Sequence, residues 1–291
     1  MSWRTVVIQG RCKLDYRLGY MVIRGREIKR VFLDEIAILL IESPTVSITG
    51  SLIEALTEKK IKVIFCDTKR NPVSELIPHH GCHDSSERIR KQIQWTDEIK
   101  ERVWSSIIRD KIGKQADFLE ELNRTEESGL LRQYISQVAP GDATNREGHA
   151  AKVYFNALFG MRFTRGADHP INYALNYGYS IILSIVNREI SAYGCLTQLG
   201  IFHNNQFNHF NLGCDLMEPF RILVDRCVVE MNPVQFSIAE KHSILDILNQ
   251  EVFIDRSRQT VLNAVKIYVR NVINVLNENR DDEISSYRLR P

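Results

Sequence analysis

Three acidic residues and one histidine are the residues best placed to do chemistry. Glu147 lies in TNREGHAAKVYF, and His203, Asp215 and Glu218 crowd the stretch from Gly200 to Arg221, GIFHNNQFNHFNLGCDLMEPFR. Each acidic residue stands beside apolar positions that a fold would bury, and a buried carboxylate needs a partner. A divalent cation satisfies two carboxylates and one imidazole together. Oxygen ligands suit Mg²⁺ and Mn²⁺, and Mn²⁺ tolerates imidazole better. A histidine from a loop and carboxylates from helix starts suit phosphoryl transfer, in which a metal activates an oxygen nucleophile and steadies the leaving oxygen.

Each candidate also has a plainer role open to it. Thr144-Asn145-Arg146-Glu147 matches a capping box, in which Glu147 only bonds the backbone N–H of the cap residue. Asp215-Leu216-Met217-Glu218 has the same form, but Pro219 favours a helix that starts nearer Glu218, with proline in its first position. Asp215 and Glu218 are three apart and share a face in either case. His149 follows Glu147 by two and points elsewhere. His79, His80, Cys82 and His83 match no four-ligand zinc spacing. Tyr173, Tyr177 and Tyr179 could stack on bases, though their helical setting favours core packing.

The elements that must position these residues fall into two classes. In the first 78 residues TVVI, KLDYRLGYMVIR and EIAILLIE read as short strands. A helix follows with Thr49 as its cap and Leu52, Ile53 and Leu56 on one face, and then IKVIFCD as a buried strand. Residues 79–85 read as a linker. Beyond it helical spacing dominates, over 86–122, 129–138, 144–159, 170–192, 216–231, 237–250 and 258–277. After Asn277 the polar ENRDDEISSYRLRP reads as a loosely held tail. The expected fold class is therefore α+β in two domains, since 291 residues exceed one usual core. A small N-terminal mostly-β domain (1–78) precedes a larger all-α C-terminal catalytic domain (86–291).

Net charge is only +2, yet residues 1–80 carry 13 Lys and Arg against 9 Asp and Glu. Arg24, Arg26, Lys29 and Arg30 cluster, as do Arg162 with Arg165 and Arg256 with Arg258. Such clusters suit phosphate contacts and equally suit a solvated face. No long apolar run and no signal-peptide core is present, so the expected location is the cytoplasm, with no membrane contact. Six cysteines without a C-x-x-C pair read as reduced thiols.

On these residues the chain resembles, over essentially its whole length, the CRISPR-associated protein one family, the integrase that inserts new spacers into CRISPR arrays. The marks are a glutamate opening a helix (Glu147 in NREGHAAKVYF), a histidine in LGIFH (His203) and the run DLMEPFR from Asp215 to Arg221. NREGHAAK looks most like members from type II systems. The resemblance implies that Glu147, His203 and Glu218 are catalytic ligands of Mg²⁺ or Mn²⁺, with Asp215 accessory. It also implies transesterification, the 3′-hydroxyls of a short DNA fragment (the prespacer) attacking phosphodiesters at the ends of a CRISPR repeat, together with metal-dependent endonuclease activity on DNA. The implied assembly is a homodimer beside a dimer of CRISPR-associated protein two, with other type II CRISPR proteins as further partners. The N-terminal domain would serve dimerisation and DNA contact. Two other functions use the same residues: a metal phosphohydrolase of small phosphoesters, and a non-catalytic DNA-bridging scaffold whose acidic residues only cap helices.

Overall fold

The β-branched and aliphatic runs near the start of the chain pair as strands because alternate side chains can reach a shared face. The computed structural model describes residues 4–68, 70–76, 84–279 and 284–289. Its chain divides into two compact units, residues 1–83 and 84–291. The first runs β1 (Arg4–Ile8), β2 (Lys13–Arg17), β3 (Tyr20–Arg24), β4 (Ile28–Phe32), β5 (Ile36–Ile41), β6 (Ser47–Ile48), α1 (Gly50–Glu58), β7 (Lys62–Cys66) and β8 (Pro72–Glu75). One sheet has the order β1-β5-β7-β8 and the other β4-β3-β2-β6. β5 lies between two parallel neighbours, and all six of its residues are buried, which is why IAILLI is apolar without alternation. Leu39, Ile41 and Val63 share a core with Leu14 and Met21 and with Leu52 and Leu56 of α1. Thr49 precedes α1 in extended conformation, as expected, but Ile53 is 39% exposed and does not share the buried face.

The second unit runs α2 (Ser85–Ile93), α3 (Asp97–Glu121), α4 (Thr125–Ser136), α5 (Arg146–Phe159), α6 (Pro170–Tyr193), α7 (Asn211–Met217), α8 (Arg221–Met231), α9 (Ile238–Leu245), β9 (Glu251–Ile254), β10 (Ser257–Thr260) and α10 (Val261–Glu278). The stretch expected as one helix over 86–122 breaks between α2 and α3, where Thr96 accepts from Ile99 N and Trp95 donates Nε1 to Asn277 Oδ1 at 2.9 Å. The apolar stripe of α10, from Val261 to Leu276, is buried, and the helix packs on α6.

Three expectations fail for identifiable reasons. The unit is not all-α, because β9 and β10 form an antiparallel hairpin. Its turn residues Asp255 and Arg256 are both left-handed, with φ of 47° and 60°, so a tight hairpin turn forms without the glycine that would have announced it. The helix expected from 258 consequently starts at Val261. The supposed loose tail is fastened at its described residues 284–289: Tyr287 is buried, and Arg288 exchanges two 2.8 Å backbone hydrogen bonds with Phe253 of β9. Of the expected linker, residues 79–83 lie outside the described residues, including His79, His80, Cys82 and His83; Asp84 and Ser85 open α2. Among the described residues no helix is long and apolar enough to cross a membrane, and Cys12, Cys214 and Cys227 are free thiols.

Candidate active site

A helix start leaves backbone donors without partners, and α5 fills them from outside Glu147. Asp142 accepts from Arg146 N and Glu147 N, both at 2.9 Å, while Asn145, left-handed at φ 51°, caps the helix by accepting from Gly148 N. Thr144 turns away and donates to Gln137 O. The capping-box role expected as an alternative for Glu147 is therefore not realised. Its carboxylate instead meets the ammonium of Lys111 at 2.6 Å.

Asp215 caps nothing in its own helix either, because α7 already begins at Asn211. Fully buried, it accepts from three successive backbone donors, Ile201 N at 2.7 Å, Phe202 N at 3.1 Å and His203 N at 3.1 Å. Its Oδ1 also takes His203 Nδ1 at 2.5 Å. A carboxylate can only accept, so the proton sits on Nδ1 and Nε2 is the ring nitrogen left free. The Asp215 hydrogen bond holds the His203 imidazole above its ordinary pKa, against the burial that lowers it. Trp104 stacks on Phe202 at 4.4 Å and meets the His203 ring edge-on, so aromatic contacts also fix the loop.

Glu218 sits where two helices meet. α7 ends at Met217, Glu218–Phe220 form one 3₁₀ turn, and α8 starts at Arg221. Pro219 is the second residue of that turn and not the first position of a helix, and a helix precedes it as well as follows it. The Glu218 carboxylate is only 3% exposed and is paired with Lys111 Nζ at 2.5 Å and Arg221 at 2.9 Å. Burial would raise its pKa; Lys111 and Arg221 outweigh burial and hold it below the usual value. Burial likewise lowers Lys111, yet Glu218 and Glu147 keep its ammonium above its ordinary value.

Glu147, His203 and Glu218 thus come from α5, a loop and a helix junction to line one cavity of about 290 Å³. Asp215 stands behind His203. Lys111, Gln115, Arg165, Arg221 and Asp225 also line the cavity, and of these the sequence assigns a role only to Arg165, as part of a basic cluster that suits phosphate contacts. Lys111 and Gln115 did carry a signal, since they continue the buried i, i+4 stripe Val103, Ile107 of α3, where a polar residue has to have a purpose. Asp225 is buried and pushed up to about 6 by that burial, with Tyr154 and Tyr179 donating to it. Tyr173, Tyr177 and Tyr179 form no common platform: Tyr173 is exposed, Tyr177 packs on Phe236, and Tyr179 serves Asp225.

Among the described residues no three carboxylate, imidazole or thiol side chains stand close enough to hold a metal as they are. The residues nevertheless fit one. A cation, the Lys111 ammonium, already bridges the two carboxylates, and Gln115 Oε1 is buried without a hydrogen-bond partner. Two carboxylate oxygens and a free imidazole nitrogen are donors suited to Mn²⁺ or Mg²⁺.

Residues 6–266 match the family model described as CRISPR associated protein Cas1. A CRISPR-associated endonuclease Cas1 from Neisseria meningitidis serogroup C (strain 8013) is 33% identical over 271 residues, covering 91% of this chain and 89% of that protein. A casposase bound to integration product superposes with a TM-score of 0.78 at 18% identity, covering 97% of this chain and 92% of that one. A Cas6-RT-Cas1–Cas2 complex superposes with a TM-score of 0.75 at 16% identity over 97% of this chain and 36% of that one.

Proposed function

The chain belongs to the CRISPR associated protein Cas1 family, and from that premise we propose that it is a metal-dependent DNA integrase and endonuclease of CRISPR adaptation. The observation that carries this is the meeting of Glu147, His203 and Glu218, from separate elements, in one cavity where Lys111 and Arg221 pair with the two carboxylates. Glu147, His203 and Glu218 would hold Mg²⁺ or Mn²⁺, which when bound lowers the cost of ionising a 3′-hydroxyl and neutralises charge at the scissile phosphate. Asp215 keeps the His203 proton on Nδ1 and so presents Nε2 as a donor. Arg221 and Arg165, both lining the cavity, supply positive charge for a phosphodiester.

The DNA partners are a prespacer fragment and a CRISPR repeat, a reading supported by the superposition on a casposase bound to integration product. A Cas2 dimer and a second copy of this chain complete the assembly, in line with the Cas1–Cas2 complex. Tyr16, Leu18, Tyr20, Ile28 and Phe32 are exposed on neighbouring strands β2–β4 or their turn, which supports an interaction face on the first unit. The scaffold alternative assumed carboxylates that only cap helices, and the Glu147 and Glu218 side chains instead meet Lys111.

The test is strand transfer on a branched DNA that mimics the half-integrated product, with Mn²⁺, Mg²⁺ or EDTA. Wild type should resolve the branch only with metal, and Glu147→Ala, His203→Ala and Glu218→Ala should not, while each still binds DNA. Transfer that persists in Glu147→Ala would refute the assignment.

A further inference from the structure

The end of the chain grips the element that carries Glu218. Tyr287, 1% exposed, donates its hydroxyl to Pro219 O at 2.9 Å, and its ring stacks on Phe220 with centroids 4.7 Å apart. Phe220 in turn meets Tyr268 of α10 edge-on. Lys114 Nζ also lies over the Tyr287 ring, 4.4 Å from its centroid. Ser286 Oγ donates to Asp110 Oδ1 at 2.6 Å and accepts from Lys114 Nζ at 2.7 Å. Ser285 N reaches Asn271 Oδ1 of α10 at 2.8 Å, and Arg288 is held by Phe253 of β9.

Residues 284–289 are therefore a strap joining the 110–114 turn of α3 to the Glu218–Phe220 turn. Those are the same two elements whose side chains Lys111 and Glu218 meet at 2.5 Å. Lys111 lies between Asp110 and Lys114, so the strap and the carboxylate pair share one turn of helix. The strap also lies beyond the family-matched residues, which end at 266. Resting on the assignment of Glu218 as a metal ligand, we infer that the C-terminal strap, through Tyr287, positions Glu218 for the ion. The phenol fixes the carbonyl one residue beyond Glu218, and the ring fixes the residue after that. Together they limit how far the turn can slide relative to α3. Tyr287 touches neither ion nor DNA on this account and is a positioning residue.

The experiment titrates Mn²⁺ into the full-length protein by calorimetry, for wild type, Tyr287→Phe and Tyr287→Ala, with melting curves in EDTA and DNA binding measured alongside. Removing a group that orients a metal ligand costs about tenfold or more in metal affinity. Tyr287→Ala should therefore bind Mn²⁺ about tenfold more weakly, with DNA affinity in EDTA unchanged. Tyr287→Phe keeps the ring and loses one hydrogen bond, and should weaken Mn²⁺ by about threefold. A lower melting temperature with unchanged Mn²⁺ affinity in both variants would overturn the inference and leave the strap a purely structural clasp. If Tyr287→Ala does not fold, Tyr287→Phe decides alone, and unchanged Mn²⁺ affinity again overturns it. Wild type that binds no Mn²⁺ would instead refute the metal-site assignment on which the strap's role depends.

Discussion

Replacing Lys111 by Met removes the ammonium that holds Glu147 and Glu218 at 2.6 and 2.5 Å and keeps a side chain of similar length. Leaving a buried charge without its partner costs about 3–5 kcal/mol. Here Glu218 retains Arg221 at 2.9 Å and the Glu147 side chain is 24% exposed, so the cost falls to about 2–3 kcal/mol. For a unit of this length each kcal/mol shifts the melting temperature by about 2–4 °C, which places Lys111→Met about 4–12 °C below wild type in EDTA. Mn²⁺ should then reverse the order of benefit. In wild type the ion must displace or accommodate the ammonium, whereas in the variant it meets two carboxylates that lack a shared counterion. A ligand at one hundred times its dissociation constant stabilises by about 2.7 kcal/mol, so the difference is readable by thermal melting over a Mn²⁺ series. Equal melting temperatures in EDTA, or a larger Mn²⁺ shift in wild type than in Lys111→Met, would refute the idea that Lys111 stands in for the ion.

Two further outcomes are expected. A Cβ on Gly200 would lie 2.3 Å from His203 O and 2.7 Å from Asp215 Oδ2, so Gly200→Ala should cost about 1–3 kcal/mol in urea denaturation and abolish strand transfer. Gly50→Ala, where a Cβ meets nothing within 4 Å, should leave both unchanged. Asp225, with a folded pKa of about 6 against an ordinary 3.8, holds a proton in the folded chain that the unfolded chain releases. Its contribution to stability is full below the ordinary value and is lost as pH rises through about 6, amounting to about 3 kcal/mol. Urea midpoints measured from pH 4 to 7 should show this decline in wild type and lack it in Asp225→Asn.

The sequence was most legible where one local rule governs an element. Period-two and all-apolar runs marked the strands of the first unit, and 3.6-residue spacing marked α6 with both its ends nearly in place and α10 with its C-terminal end nearly in place. It was least legible where a distant contact decides. ENRDDEISSYRLRP is polar enough to read as solvated, and only Phe220 and Pro219, far away in sequence, make Tyr287 a core residue. The β9–β10 turn uses Asp and Arg in left-handed conformations that no residue pattern advertises. At the site, Glu147, His203 and Glu218 stood out because acidic groups and amides crowd near apolar positions. Their cationic partner Lys111 was not singled out, because a lysine on a helix is ordinary until the tertiary structure brings carboxylates to it.

Lys111, Arg165 and Arg221 face Glu147, Glu218 and Asp225 around a single cavity. With Asp225 ionised, above about pH 6, these formal charges cancel when the His203 ring is neutral. A divalent ion entering such a balanced chamber leaves an excess of two positive charges that surrounding salt screens poorly. A phosphodiester is the natural anion to relieve that excess. Ion and DNA should therefore each tighten the binding of the other, and because a coupling free energy is reciprocal, both enhancement factors are the same number. The resting protein would then be only a modest chelator, whose site is completed by its own substrate.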